Sequence, residues 1–483
     1  MIFFLIKNKF IYIVSYLLVV LSSIVIISLY NDSFIYNSKF NNINSVEYSE
    51  LLFTNNVVNK ININIDNSDI NELFMKEYNK DYFNCNININ DETIYNVGIR
   101  IKGGSTRDIL NNLNGASLKH SLKIKFDEYI DGQTYYGLDG IELNTQIHDK
   151  TFMRDYFAYD MMRFMGVPAP LVSFADVYIN DEYWGFYVCI ENVKDSFLKR
   201  NFGEDYGELY KPSRDFAYAT FNDFVDWSKT NSSNEDINRL LDSIKKINNK
   251  DIENSVNINE VVKYFVVNNF TENGDGYLDF SNNYYLYEKN GLISMLPWDY
   301  DYSLYLFSSL ERINYSSINN PFHQKKMTNY NKYMWKFIIE NEQYLKLYYQ
   351  YLQEFIDGYF SSGYFEKEYN RTFNLIEKNI YKDMDINKII YKEKNKEEIY
   401  NQLLFLKKAI VARKEFIQNE LSGNDYGDNY FFEISQDRFI LDEIENDVEF
   451  DLDNKCSQQC EKKMIMLLLK IIIHFLKVCG DFN

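Results

Sequence analysis

The chain has 483 residues, 46% of them hydrophobic, which is enough to bury one large core or two ordinary ones. Its formal net charge of −19, from 51 basic and 70 acidic residues, argues against a nucleic-acid-binding protein, because nucleic-acid phosphates would repel most of such a surface. Five cysteines exclude a disulfide scaffold, and Cys85 and Cys189 are expected to be small core residues or, alternatively, a single pair.

The N-terminus carries a membrane signal. The uncharged stretch FIYIVSYLLVVLSSIVIISLY, residues 10–30, is long enough to cross the hydrocarbon core of a bilayer as a helix. Lys7 and Lys9 precede it, so the positive-inside rule sends the rest of the chain across the membrane. Because no small-x-small cleavage site follows, we predict a signal anchor over residues 1–31, a linker over 32–56 and a membrane-anchored, extracytoplasmic body.

Strand patterns follow the linker. Residues 57–65 alternate apolar and polar side chains as a half-buried strand does, and further strands lead to TIYNVGIRIKGGSTR. The glycines and serine at 103–105 interrupt this last strand. The next alternating stretch, SLKHSLKIKF, places Lys123 and Lys125 on one face of its strand.

A helix and a hairpin complete the first half of the body. The stretch DKTFMRDYFAYDMMRFMGVPAP has apolar residues at helical spacing, with Asp149 as the N-cap and a stop at Gly166. Two strands follow, joined by the turn residues Asn180 and Asp181. We predict a β-rich N-lobe over residues 57–193.

From about Asp195 the periodicity becomes mostly helical. One helix leads directly into NGDGYLDFSNNYYLYEKNGLISMLPWDYD, residues 273–301, which predicts two short strands around the turn Asn290-Gly291. Helical patterns continue to residue 419. We therefore predict a mainly helical C-lobe over 194–420, followed by an acidic tail and an apolar terminal helix over 421–483.

Acidic and amide residues flank the predicted hairpin. Asp275 lies in the loop before it, Asn283 at the start of its first strand and Asp299 just beyond its second strand. Antiparallel pairing would bring Asn283 and Asp299 close together. Phosphoryl transfer requires such oxygens to hold Mg²⁺ and to orient a hydroxyl, together with cations for the phosphates. The order of glycine turn, lysine strand, helix, loop acid and second acid also matches the protein-kinase plan.

Six segments carry a family resemblance. In chain order they are VGIRIKGGSTR, SLKIKF, FMRDYFAYDMMRFMGVPAP, VYINDEYWGFYVCIENV, GDGYLDFSNNYYLY and LPWDYD. Across residues 57–350 the chain thus resembles the CotH-type spore-coat protein kinase family. The resemblance implies an α+β, bilobal, atypical protein-kinase-like fold, here with an N-terminal transmembrane helix. It also implies an ATP-dependent Ser/Thr kinase that uses Mg²⁺ or Mn²⁺ and phosphorylates proteins of the spore coat or cell envelope.

The resemblance also implies roles for individual residues. Asp275 corresponds to the catalytic aspartate and Asp299 to the metal ligand, with Asn283 and Asp301 as further ligands. Gly274 stands where the family has tryptophan, and Gly104 replaces the asparagine of the usual Gly-Asn-Ser turn. The implied ATP-binding residues are Arg100, Lys102, Gly103, Gly104, Ser105, Lys123, Lys125, Arg154 and Glu191, the last where a kinase linker would bind adenine through its backbone.

Two other classes of function fit parts of the sequence. A non-catalytic scaffold of the coat or envelope would keep the fold without the chemistry. A surface adhesin or carbohydrate-binding protein would use some of the 42 tyrosines to stack on sugars. A purely structural interpretation also exists for Lys102, Lys123 and Lys125, which would form the solvated face of a half-exposed sheet.

Overall fold

The computed structural model describes residues 46–75, 81–103, 119–304, 332–388, 390–391 and 395–423. The chain divides into two units, Met1–Asp425 and Tyr426–Asn483, and every described residue belongs to the first. The predicted membrane segment at 10–30, Gly104, Ser105 and the tail from residue 424 onward lie outside the described residues.

The first half of the body is built around a closed sheet. Its elements are α1 (Glu47–Leu52), β1 (Val58–Asn64), α2 (Asn67–Met75), β2 (Phe83–Ile89), β3 (Glu92–Ile101), β4 (Leu122–Lys125), β5 (Gly140–Asn144), α3 (Arg154–Phe164), β6 (Val172–Ile179) and β7 (Glu182–Glu191). The strands are neighbours in the order β1-β2-β3-β4-β5-β7-β6, and β6 returns to β1. Pairing is antiparallel except between β1 and β6, where Val58 lies opposite Phe174.

Alternation along these strands fills the inside of the closed sheet with apolar side chains. Among the buried residues are Ile61, Ile63, Ile87, Ile99, Ile124, Leu143 and Val177. Cys85 and Cys189 belong to the same core as free thiols, which confirms the prediction of core cysteines and excludes the alternative disulfide pair.

The predicted bilobal kinase-like fold is wrong, whereas the transmembrane helix predicted with it falls on residues 10–30, outside the described residues. Seven strands close into one sheet, and the order of elements along the chain carried no signal for the β1–β6 pairing that closes it. Helix α3, expected within a separate β-rich lobe, instead buries Phe157, Tyr159 and Met161 in the same core as the later helices. Among the described residues no helix is both long and apolar enough to span a membrane.

The second half is mainly helical. Its elements are α4 (Asp195–Phe202), β8 (Glu208–Tyr210), a 3-10 turn (Phe216–Tyr218), α5 (Phe221–Trp227), α6 (Asn234–Asn248), α7 (Ile258–Thr271), α8 (Tyr277–Phe280), β9 (Tyr284–Lys289), β10 (Leu292–Pro297), α9 (Tyr333–Glu340), α10 (Glu342–Phe355), a π-helical turn (Ile356–Ser361), α11 (Tyr364–Ile386) and α12 (Lys396–Leu421). Strands β10, β9 and β8 form a small antiparallel sheet in that order.

Both predicted hairpin turns are confirmed. Asn180-Asp181 joins β6 to β7, with φ of 50° and 67°, and Asn290-Gly291 joins β9 to β10, with φ of 54° and 85°. Two consecutive positive φ angles match the twist of a two-residue hairpin, which is why asparagine, aspartate and glycine occupy these positions.

The buried carboxyl of Asp139, just before β5, makes the stability of the fold depend on pH. Its Oδ2 accepts the Ser196 backbone N–H at 2.9 Å, and burial raises the pKa of its carboxyl from 3.8 to about 6. Between these two values the unfolded chain loses a proton that the folded chain keeps, so this group's contribution to stability falls as pH rises. We measure the melting temperature of Asp139→Asn minus that of the wild type at pH 7 and at pH 4. We expect this difference to be more positive at pH 7 by a few degrees, because only there does the folded wild type carry the buried charge. The same difference in melting temperature at both pH values would contradict this prediction.

Candidate active site

Asp275 lies in the loop between α7 and α8. Helix α7 is almost wholly buried and is followed by Glu272 in the left-handed conformation, which turns the chain into a loop where Gly274 and Asp275 are half-buried. Asn283 Nδ2 donates to Asp275 Oδ2 at 2.9 Å, and the Asp275 backbone N–H donates to Asn273 Oδ1 at 3.3 Å. The half-buried carboxylate is therefore fixed from its own loop and from the start of β9.

The second group is the turn Asp299–Asp301, called here the acidic turn. It follows β10, and Tyr284 pairs with Pro297 in the hairpin, so Asn283 and Asp299 flank the same open end. Asn273 Nδ2 also donates to the backbone carbonyl of Asp299 at 3.3 Å. The hairpin register thus brings the Asp275 loop and the acidic turn together, as the sequence predicted.

These acids influence one another. Burial, and after it the negative charge of Asp299, raises the pKa of Asp275. Burial likewise raises the pKa of Asp155, on α3, to about 7, with Asp299 adding to the effect. Burial, Asp299 and Asp155 hold the pKa of Asp301 well above its usual range. Asp275, Asp299, Asp301 and Asp155 thus form one electrostatic group.

A set of basic residues, the lysine cluster, surrounds the buried Glu142 of β5. Lys102 forms an ion pair with Glu142 and donates to Asn144 Oδ1 at 2.6 Å, while Lys123 contacts Glu142 Oε1 at 3.1 Å. Burial opposes ionisation of Glu142, but the lysines outweigh it and hold the pKa of this carboxyl well below its usual range. Lys211, just after β8, completes the cluster, and burial lowers its pKa to about 8.

Trp298 connects the lysine cluster to the acidic turn. Lys211 Nζ lies 4.7 Å and Lys102 Nζ 5.5 Å from the centroid of its indole ring, and Asp299 is the next residue. Burial works against the charged form of Lys102, but Glu142 and then Asp299 outweigh it, so the pKa of Lys102 is raised. The lysine cluster and the acidic turn therefore meet at Trp298, close enough for Asp299 to stabilise the charge of Lys102.

The acidic group suits a divalent cation. Burial and then the negative charge of Asp299 oppose the ionisation of Asp155 and Asp301, and a bound cation would offset both effects. Asn283 uses its amide N–H on Asp275, which leaves its carbonyl oxygen for a ligand role. Within the described ranges no three His, Cys, Asp or Glu side chains could hold a metal by themselves. Mg²⁺ in phosphoryl-transfer sites is ordinarily held by one or two carboxylates plus the phosphates of the substrate.

Other residues predicted to bind ATP lie in different surroundings. Arg100 stacks on Tyr82 at 5.3 Å, and Lys125 pairs with Glu128 at 2.8 Å. Arg154 pairs with Asp149 and donates through Nε to the Ser303 carbonyl. Gly103 adopts a φ of 97°, which favours glycine.

Glu191, at the end of β7, is completely buried within an ion pair. Arg200 Nη2 donates to its Oε2 at 2.6 Å and Arg200 Nε to its Oε1 at 3.0 Å. The Tyr48 hydroxyl and the Leu171 backbone N–H complete the set at 2.6 and 3.0 Å. This carboxylate holds α1, α4 and β7 together.

Sequence reasoning missed Glu142, Lys211 and Asp155 as members of the site. Glu142 is directly opposite Lys123 in the β4–β5 register, but the strand that carries it was not predicted. Asp155 was visible as an acid in the first turn of the predicted helix, between Arg154 and Tyr156. Lys211 follows a strand of three residues, too short to show periodicity.

Comparison with known proteins agrees with this arrangement of motifs. A family model described as "CotH kinase protein" matches residues 99–417. The inner spore coat protein H of Bacillus subtilis (strain 168) is 25% identical to this chain over 251 residues, which are 48% of this chain. The match spans 65% of the length of that relative.

Proposed function

The chain belongs to the CotH kinase protein family, as its motifs predicted, and from this membership we propose that it transfers the γ-phosphoryl group of ATP to Ser or Thr hydroxyls of spore-coat or cell-envelope proteins. The name of the relative, an inner spore coat protein, supports the spore coat as the place of action. The observation that carries the proposal is the meeting of Asp275, the acidic turn and the lysine cluster around Trp298.

Asp275 is proposed to orient and deprotonate the acceptor. Its raised pKa makes the carboxylate a better proton acceptor, and the hydrogen bond from Asn283 fixes its direction. A new bond forms between the acceptor oxygen and the γ-phosphorus while the bond to the β–γ bridging oxygen breaks. The hydroxyl proton passes to Asp275, and ADP leaves with the bridging oxygen.

The lysine cluster is proposed to hold the phosphates of ATP. Glu142 keeps Lys102 and Lys123 in place without neutralising all three lysines, so the cluster retains net positive charge. The buried face of Trp298 supplies a wall beside these charges. Because the site is partly shielded from water, these interactions are stronger than they would be at an exposed surface.

Asp299, with Asn283 and Asp301, would hold Mg²⁺ or Mn²⁺. When bound, the cation supplies positive charge to the phosphate oxygens. Burial and then the negative charge of Asp299 raise the pKa values of Asp301 and Asp155, and this supports the assignment because a bound cation would offset both effects.

The test uses the purified full-length chain with radiolabelled ATP, Mn²⁺ or Mg²⁺, and a serine-rich acceptor protein. We expect label on acceptor serines or threonines, and a rise in melting temperature with millimolar ATP and Mn²⁺ because the ligand binds only the folded state. If no label appears on the acceptor or on the chain itself, the proposed activity fails. If ATP also leaves the melting temperature unchanged, the non-catalytic scaffold is the better description.

Lys211 provides a prediction that sequence reasoning did not offer. We expect Lys211→Met to weaken ATP binding by about tenfold or more, since a charge-assisted contact to phosphate is lost. Lys125→Met is the matched control, because Lys125 pairs with Asp127 and Glu128 instead of Glu142. Isothermal titration with ATP and Mn²⁺ measures both variants, and equal losses would contradict the placement of the phosphates at Lys211.

A further inference from the structure

The backbone of the acidic turn is strained. Asp299 has a φ of 55°, in the left-handed region. A residue with a Cβ atom pays about 1–2 kcal/mol in this region, so such a conformation persists only where its surroundings enforce it. The neighbouring contacts should therefore identify what holds the turn.

Two consecutive backbone amides of the turn are held by one helix. The Asp299 N–H donates to the Tyr159 hydroxyl at 2.9 Å, and the Tyr300 N–H donates to Asp155 Oδ1 at 2.8 Å. Asp155 and Tyr159 are four residues apart on α3, which places them one above the other on the same face. Both side chains are fully buried.

Asp155 is itself fixed in place. Gln146 Nε2 donates to its Oδ2 at 2.7 Å, so both carboxylate oxygens have hydrogen-bond donors. This leaves Asp155 poorly suited to be a direct cation ligand, although it lies close enough to Asp299 for that charge to raise the pKa of Asp155. Its contacts are those of a side chain that orients a backbone.

We propose that Asp155 and Tyr159 are positioning residues that clamp the amides of Tyr300 and Asp299 and so present the Asp299 carboxylate to the metal-bound nucleotide. This inference rests on the proposed function, because it concerns how the same site is kept in order. Neither residue touches the transferred group. Removing either hydrogen bond should release the turn while leaving the lysine cluster intact.

The first experiment separates hydrogen bonding from charge at residue 155. Asp155→Asn keeps a carbonyl oxygen that accepts the Tyr300 N–H. Its new amide N–H can donate to Gln146 Oε1 once the Gln146 amide group rotates, since this oxygen has no hydrogen-bond partner among the described residues. We expect Asp155→Ala to weaken Mn²⁺ binding, measured with a non-hydrolysable ATP analogue, by about tenfold, and Asp155→Asn to restore it to within about threefold of wild type. If Asp155→Asn loses as much as Asp155→Ala, Asp155 acts through its charge and the inference is overturned.

The second experiment uses a matched pair of tyrosines. Tyr159→Phe removes the bond to the acidic turn, whereas Tyr359→Phe removes a bond of similar length, 2.7 Å, to Asp160 on the same helix. Both variants should lose comparable thermal stability. Only Tyr159→Phe should weaken Mn²⁺ binding, by about fivefold, and speed hydrogen exchange of the peptide that contains Asp299 and Tyr300. Equal effects of the two variants would overturn the inference.

Hydrogen exchange needs no ligand, so the two proposals can fail separately. A wild-type chain that binds neither ATP nor Mn²⁺ refutes the proposed function. Unchanged exchange at Asp299 and Tyr300 in Tyr159→Phe and Asp155→Ala refutes the clamp, whatever the wild type binds.

Discussion

Replacing Asp275 by asparagine is expected to lower the turnover number for phosphoryl transfer by about 10²–10⁴-fold, the usual contribution of a general base. Asparagine keeps an oxygen that accepts the Asn283 amide N–H, so the loop should retain its shape. It cannot, however, take a proton from the acceptor hydroxyl. Affinity for ATP and Mn²⁺ should therefore change little, because the lysine cluster and the acidic turn are untouched.

The matched control for this variant is Asp205→Asn, at a fully exposed acid whose partner is Lys289. It should transfer phosphate at the wild-type rate. Initial rates at saturating ATP and acceptor measure the effect, and melting temperatures confirm that both variants fold. Turnover by Asp275→Asn within about threefold of wild type would remove Asp275 from the base role.

The largest expected loss of stability comes from the buried pair Glu191–Arg200. Arg200→Met would leave the Glu191 carboxylate in the core without its two bonds from the guanidinium. Breaking a buried ion pair from one side costs about 3–5 kcal/mol, because the remaining charge is uncompensated. Chemical unfolding should show this as a lower midpoint.

The control is Lys245→Met in the pair with Asp242, where both side chains are largely exposed, at 72% and 67%. An exposed pair of this kind contributes about 0–1 kcal/mol. If Arg200→Met destabilises the chain no more than Lys245→Met, Glu191 is not held as the contacts indicate.

Local signals predicted much of the secondary structure. Turn residues located both hairpins, alternation located β1 to within one residue at each end, and β4 lies inside a longer stretch that alternation marked as a strand. The closed sheet could not be predicted in this way. Its closure depends on β1 pairing with β6 across a long stretch of chain, and neither strand carries a residue pattern that specifies a partner.

The candidate site was partly visible in the sequence for the same reason. Asn283 and Asp299 flank one hairpin, so antiparallel pairing alone predicted that these two residues meet. Asp275 lies outside the hairpin and is joined to them by the hydrogen bond from Asn283. Glu142, Lys211 and Asp155 come from three distant elements, and only the tertiary fold brings them to Trp298 and the acidic turn. Lys123 and Lys125 could not be ranked until the β4–β5 register placed Glu142 opposite Lys123.

The parallel pairing of β1 with β6 also affects how the chain is made. A ribosome releases β1 well before β6 and β7 exist, so one edge of the first strand has no partner while the intervening elements are translated. Unpaired strand edges invite aggregation, and long-range pairing slows folding. We therefore expect truncated nascent chains that end before β6 to associate with holding chaperones, and release to begin once β7 has been synthesised.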